Sequence, residues 1–153
     1  MCAGPAAGTT VAKRSTSTDV VTPPELPVAV DAMGGDHAPD AVIEGARMAV
    51  ADGIPVVLVG RPDALADVHD LPIIEASEVI AMDADPGASV RKLKDSSLIR
   101  AAEAVRDGNA SAMVGAGNTG ATMASALLRV GRIKGVSRPA IATPLPVPGS
   151  TKP

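Results

Sequence analysis

Short apolar runs separated by helical segments are the feature that most constrains how this chain folds. Each run is too short for a helix and almost continuously apolar, which predicts strands buried on both faces. The runs are Leu26–Ala32, Ile54–Gly60 and Ala110–Ala116. Helical periodicity with capping residues lies between and after them, over 39–53, 95–109 and 118–131. Strands that alternate with helices form a parallel sheet covered on both faces, so the pattern predicts a Rossmann-like three-layer α/β fold with a mostly parallel sheet.

The same pattern makes specific local predictions. In the first helix Glu44 is expected to pair with Arg47, and the buried stripe is Val42, Ala46, Ala49 and Val50. In the helix over 118–131, the buried stripe is Met123, Ala126, Leu127 and Val130. Elsewhere the residue pattern predicts a short helix over 61–69, strands within 71–83, a loop over 84–94 and a further strand over 138–145.

The two ends of the chain differ in composition from its middle. Residues 1–26 have no periodic apolar pattern and lack the basic-then-apolar order of a secretory signal, which predicts a disordered leader. Residues 27–153 then form the α/β domain. Its last eleven residues contain four prolines and no closing strand or helix, and the chain has no Phe, Tyr or Trp. We therefore expect an incomplete α/β domain, the N-terminal part of a longer protein.

Charge and cysteine content exclude some classes of function. The formal net charge of -3 gives no reason to expect nucleic acid as a partner. The single cysteine, Cys2, rules out a disulfide framework, and a reducing cytoplasm fits best.

A glycine-rich turn, VGAGNTGA over 114–121, fits the G-x-G-x-x-G pattern of dinucleotide-binding proteins. That pattern normally has an acidic residue about 20 positions later for the ribose, whereas this chain has no acidic residue after Asp107. A helix start after a buried strand still offers free N–H groups to an anion. The turn therefore predicts a phosphate site made by Gly117, Asn118, Thr119 and Gly120, although a tight turn alone would also explain its glycines.

Two further stretches carry polar side chains near predicted element ends. DAMGGDHAP follows the first strand, where α/β folds bind ligands, and it contributes Asp31, Asp36 and His37. These residues form either one wall of an active site or the hydrogen bonds of a turn, and their spacing specifies no metal. SVRKLKDSS places cations and hydroxyls before a helix, which suits either a phosphate or an ordinary solvated loop with a serine cap.

Together these stretches resemble one family, the bacterial phosphate acyltransferases of phospholipid synthesis, also called acyl-acyl-carrier-protein:phosphate acyltransferases. The similar segments are DAMGGDHAP, VRKLKDSSLIRAAEAVRDGNASAMVGAGNTGATMA and RPAIATPLP. The resemblance runs from about Val28 to Pro148 and corresponds to the family's N-terminal portion only. Family members usually carry serine where this chain has Gly115, and that difference creates the dinucleotide-like pattern.

The resemblance implies transfer of a fatty acyl group from acyl-acyl-carrier-protein to inorganic phosphate, giving acyl phosphate, without cofactor or metal. It implies a homodimer when complete, and a functional link to a membrane glycerol-3-phosphate acyltransferase at the inner face of the membrane. Lys94, Ser96 and Ser97 would balance the phosphate charge, and Asp36 and His37 are candidates for orienting phosphate or protonating the leaving thiolate. Two alternatives stay open: an NAD(P)-dependent oxidoreductase, and an incomplete chain with no activity of its own.

Overall fold

The computed structural model of the chain describes residues 25–142. The strands are β1 (Val28–Asp31), β2 (Val56–Gly60), β3 (Ile73–Glu75) and β4 (Ala112–Gly115). The helices are α1 (Asp40–Ala51), α2 (Pro86–Lys92), α3 (Ser97–Arg106) and α4 (Thr119–Ser125), and α4 continues into a π-helical turn over Ala126–Val130. The leader predicted over 1–26 lies outside the described residues up to position 24, as does the tail from 143 onwards.

All four strands form one parallel sheet in the order β3-β2-β1-β4. β1 is central, because Val28 pairs with Val56 of β2 on one side and with Ala112 of β4 on the other. The predicted parallel α/β sheet is therefore confirmed. On its other side β4 pairs with no strand among residues 25–142, and its Val114 is half exposed.

Small and branched aliphatic side chains fill the core on both faces of the sheet. One face packs Ile43 and Ala46 of α1 against Leu58 of β2 and against Leu65 and Leu71 of the following loop. The other face packs α3 against β1 and β2, and a third cluster joins α2, α3 and α4 through Val90, Leu98, Ile99 and Ala121. This arrangement holds the ends of β1 and β4 between well-packed helices.

The segment 84–94, predicted as a loop, contains the helix α2, so that prediction is wrong. Asp85 caps the helix by accepting a hydrogen bond from the N–H of Ala88 at 2.6 Å, and Pro86 occupies the first helical turn, where a proline N–H is not needed. Conversely, 61–69 forms turns instead of the predicted short helix. Within 71–83 only β3 is a strand, and residue 78 contributes an isolated bridge to Ser96.

Several predicted surface and core assignments also differ. Arg47 pairs with Asp70 in the loop after β2, at 2.7 Å, and not with Glu44. In α1 the buried residues are Ile43 and Ala46, so Ala46 of the predicted stripe is buried, whereas Val50 is 43 % exposed. The predicted stripe of α4 is likewise exposed at Met123 and Val130, because Ala121 and Ser125 face the core instead. No strand forms over 138–142, the described part of the last predicted strand.

Candidate active site

The strand order reverses between β1 and β4, and this creates the crevice in which open α/β sheets bind ligands. From β1 the chain moves outward to β2 and β3 before it returns to the opposite side as β4. The last residues of the two strands, Asp31 and Gly115, are paired in register. The loops that leave them, 32–39 and 116–118, therefore emerge side by side at the carboxyl edge of the sheet. This brings two of the three sequence-predicted stretches together.

The two loops touch backbone to backbone at Gly34 and Gly117. A Cβ atom built on Gly34 would lie 2.9 Å from the amide nitrogen of Gly117, and one built on Gly117 would lie 3.0 Å from the Cα of Gly34. Neither glycine has a positive φ, so neither is needed for a left-handed backbone. Glycine is needed at both positions because the two loops approach each other so closely that a side chain would not fit.

The other two glycines of the turn are also in close contact with neighbouring elements. A Cβ atom on Gly120 would lie 2.6 Å from Cγ of Pro86 in α2, and one on Gly115 would lie 3.1 Å from Cδ1 of Leu98 in α3. Each glycine of the G-x-G-x-x-G pattern thus permits close packing between elements of this fold. The match to the dinucleotide pattern is accounted for without a nucleotide.

Asn118 connects the start of α4 to the loop before α2. Its side-chain oxygen accepts a hydrogen bond from the N–H of Ala121 at 2.9 Å and caps the helix. Its Nδ2 donates to the carbonyl oxygens of Met82 and Ala84, at 3.0 Å each. Both ends of the amide are therefore engaged inside the protein, and the role of Asn118 as a phosphate ligand stays a prediction.

Asp31 is buried beneath the contact between the two loops. It is 5 % exposed, and its Oδ1 accepts a hydrogen bond from the N–H of Met33 at 3.0 Å. Burial raises the pKa of Asp31 above its ordinary value, while hydrogen bonds with the Ser97 side chain and the Met33 backbone act in the opposite direction. Sequence reasoning identified Asp31 only as one polar residue of a turn. The available signal was a carboxylate at the very end of an apolar strand.

The other predicted phosphate ligands fall into two groups. Ser96 and Ser97 are 0 % and 1 % exposed at the start of α3, so their hydroxyls do not face solvent. Lys94 lies exposed on the connection from α2 to α3, and Thr119 is exposed at the first position of α4. Among these predicted ligands, Thr119 and Lys94 are therefore accessible to a ligand from solvent, whereas the serines of α3 are not.

An apolar groove of about 640 Å³ opens beside the crevice, between α1 and β4. Asp31, Asp36 and His37 line its polar end, and both Asp36 and His37 are exposed there. The rest of its wall is aliphatic and includes Val30, Val42, Ala46, Ile54 and Val114. A polar mouth that leads into an apolar groove suits a ligand with one charged and one hydrocarbon end.

Residues 25–142 contain no group of three or more His, Cys, Asp and Glu side chains placed to hold a metal ion. Their helices also include none that is long and apolar enough to cross a membrane.

Comparison with known proteins places the chain in a family. The model of the family described as "Fatty acid synthesis protein" matches residues 26–152. A phosphate acyltransferase of Desulforudis audaxviator is 48 % identical over 124 residues, which are 78 % of this chain and 37 % of the relative. Phosphate acyltransferases of Heliobacterium modesticaldum and of Anaeromyxobacter sp. strain Fw109-5 are 49 % and 50 % identical over 129 residues each, covering 78 % of this chain and 38 % and 36 % of theirs.

These matches confirm the resemblance inferred from the motifs, and the chain spans less than two-fifths of the length of these relatives. The family model covers most of the chain, including all of the sheet and the crevice between β1 and β4. The chain therefore belongs to the fatty acid synthesis protein family.

Proposed function

We propose that the protein transfers a fatty acyl group from acyl-acyl-carrier-protein to inorganic phosphate, giving acyl phosphate for phospholipid synthesis. One structural observation carries the proposal: two glycine-rich loops meet at the switch point between β1 and β4, beside an apolar groove. A crevice between these loops, next to space for a hydrocarbon chain, supports a reaction between phosphate and an acyl group. The relatives are phosphate acyltransferases, which supports the reaction class.

The reaction needs little covalent chemistry from the protein. A phosphate oxygen attacks the thioester carbonyl carbon, the resulting tetrahedral oxyanion collapses, and the carrier's thiolate leaves and takes up a proton. Phosphate is itself the nucleophile, so no serine or cysteine nucleophile is required. The protein must hold phosphate against the carbonyl and stabilise the oxyanion.

We assign the direct phosphate contacts to the exposed start of α4 and to the exposed cation Lys94. The first N–H groups of a helix have no partner within it, which makes the backbone of Thr119 and Gly120 available, along with Gly117 before them. Thr119 adds a hydroxyl, and Lys94 adds positive charge. Asn118, Ser96 and Ser97 then shape the site from inside, since their side chains are engaged or buried.

Asp36 and His37 have the remaining roles in this proposal. Both are exposed at the polar end of the apolar groove, where the thioester would lie if the acyl chain entered the groove. There they orient phosphate or deliver the proton to the leaving thiolate. We also propose that the complete enzyme is a cytoplasmic homodimer that acts at the inner face of the membrane and supplies a membrane glycerol-3-phosphate acyltransferase.

The oxidoreductase alternative has no observation in its favour. The glycines that mimic a dinucleotide turn are accounted for by their contacts with Gly34, Pro86 and Leu98, and no acidic residue follows Asp107. Titration of the chain with NADH and NADPH is expected to give no saturable change in cofactor fluorescence.

A chimera tests the proposal. Residues 28–148 of this chain replace the matching segment of the Desulforudis audaxviator relative, to which it is 48 % identical. Acyl phosphate formed from acyl-carrier protein and phosphate is trapped with hydroxylamine as the hydroxamate. We expect hydroxamate that depends on both substrates, and none from the isolated chain. A folded but inactive chimera beside an active parent would count against the assignment of the crevice.

A further inference from the structure

Asp31 links three parts of the candidate site through one carboxylate. It ends β1, it accepts a hydrogen bond from the N–H of Met33 in the following loop, and the side chain of Ser97 at the start of α3 is close enough to lower its pKa. Its second oxygen, Oδ2, lies 2.8 Å from the position that a Cβ atom on Gly34 would take. That same position is 2.9 Å from the amide nitrogen of Gly117, so the carboxylate lies directly under the contact between the two loops.

The position is costly for an acidic group. Asp31 is 5 % exposed, and none of the ion pairs formed within residues 25–142 includes it. A buried carboxylate without a cation depends on its hydrogen bonds for compensation, and an apolar residue of similar size would avoid the cost. Its backbone donor, the N–H of Met33, belongs to a loop that frames the crevice, and the Ser97 side chain also favours its charged form.

From this geometry we propose that Asp31 is a positioning residue for the anion site. It fixes the Met33–Gly34 turn and the first turn of α3 relative to β1, and through Gly34 it sets where the backbone of Gly117 lies. Asp31 acts on the phosphate through the loops and not by direct contact, because it is buried beneath them. The identity of the ligand as phosphate rests on the proposed function. The structural contacts that connect Asp31, Gly34 and Gly117 do not.

Two substitutions separate the acceptor geometry from the charge. Asp31→Asn keeps an oxygen that can accept from the N–H of Met33, and Asp31→Ala removes it. Asp67→Asn, at an exposed position of the same charge, is the matched control. Amide hydrogen exchange of Met33, Gly34 and Gly117 is followed by NMR on the whole chain, and binding of inorganic phosphate is titrated on the same samples.

We expect Asp31→Ala to speed exchange at all three amides and to weaken phosphate binding by roughly tenfold or more, as misplacement of a binding group does. Asp31→Asn is expected to restore both measurements most of the way, and the control to change neither. Unchanged exchange at Gly34 and Gly117 in the alanine variant would overturn the positioning role. If the wild-type chain binds no phosphate while exchange responds as expected, the proposed ligand fails and the positioning role stands.

Discussion

Gly34 and Gly117 meet so closely that a Cβ atom on Gly117 would lie 3.0 Å from the Cα of Gly34. The two residues are 83 positions apart in the chain, in the loops after β1 and β4. Their contact forms the floor of the crevice between β1 and β4. A substitution in the second loop that affects a ligand is therefore expected to affect the stability of the fold as well.

Gly117→Ala is expected to lower the free energy of unfolding by about 1–3 kcal/mol, because backbone on the opposite loop cannot move aside as a side chain would. Thermal melts followed by circular dichroism measure this, since the chain has no aromatic residue to report by fluorescence. Gly45→Ala is the matched control. No atom lies within 4 Å of its added Cβ, and alanine favours α1, so this variant should melt at or above the wild-type temperature. Equal melting temperatures for the two variants would contradict the close contact between Gly34 and Gly117.

Asn118→Ala is expected to cost about 0.5–2 kcal/mol for the lost cap of α4 alone. A further loss follows from the carbonyls of Met82 and Ala84, which lose their donor. Asn118→Asp keeps the capping oxygen but removes the Nδ2 donor. It should therefore fall between wild type and alanine in denaturant unfolding. An aspartate variant as stable as wild type would show that the bonds to the 81–84 loop contribute nothing.

Asp31→Asn is expected to alter the pH dependence of stability in one direction. The pKa of folded Asp31 is raised above the ordinary value of 3.8, so the folded state favours the protonated carboxyl. That contribution is present below pH 3.8 and is lost as the pH rises through the raised pKa. As the pH rises through this window, the asparagine variant should therefore become more stable relative to wild type. Parallel melting curves of the two proteins at every pH would contradict a raised pKa.

Arg47→Met is expected to return the titration of Asp70 toward 3.8 from its lowered pKa of about 2. The hydrogen bond with Arg47 is the main cause of the lowering, and both side chains are 50 % exposed, so solvent screening limits any effect on stability. The contribution is present above pH 3.8 and lost as pH falls toward 2. Carboxyl carbon shifts of Asp70 followed by NMR measure the midpoint. Glu44→Gln is the control, expected to leave that midpoint almost unchanged.

The sheet could be predicted because its strands are apolar on both faces. Ile54–Gly60 is apolar throughout, which predicts a buried strand, and the helix over 39–53 before it gives the parallel connection from β1. The helix α2 was missed because Pro86 and Gly87 usually mark loops, whereas here the cap from Asp85 lets proline start a helix. Local sequence does not show which use of proline applies, because the deciding contacts depend on the cap and on packing against α4.

The candidate site could be located by sequence but not described in detail. Element ends mark Asp36, His37 and the turn at 115–120 as candidate ligand positions, and the strand order brings their loops together. Burial of Ser96 and Ser97, and the internal hydrogen bonds of Asn118, depend on tertiary packing that no local pattern carries. Some polar side chains whose position in the sequence indicates a ligand therefore form hydrogen bonds inside the protein or are buried in it.

The strand β4 has further consequences for handling the chain. Among the described residues it is paired only with β1, and Val114 is 51 % exposed at this border. The outward N–H and C=O groups of β4 have no strand partner within residues 25–142, and such groups offer a template on which an extended peptide can add as a new strand. A lysine or proline introduced at this border would oppose such strand addition.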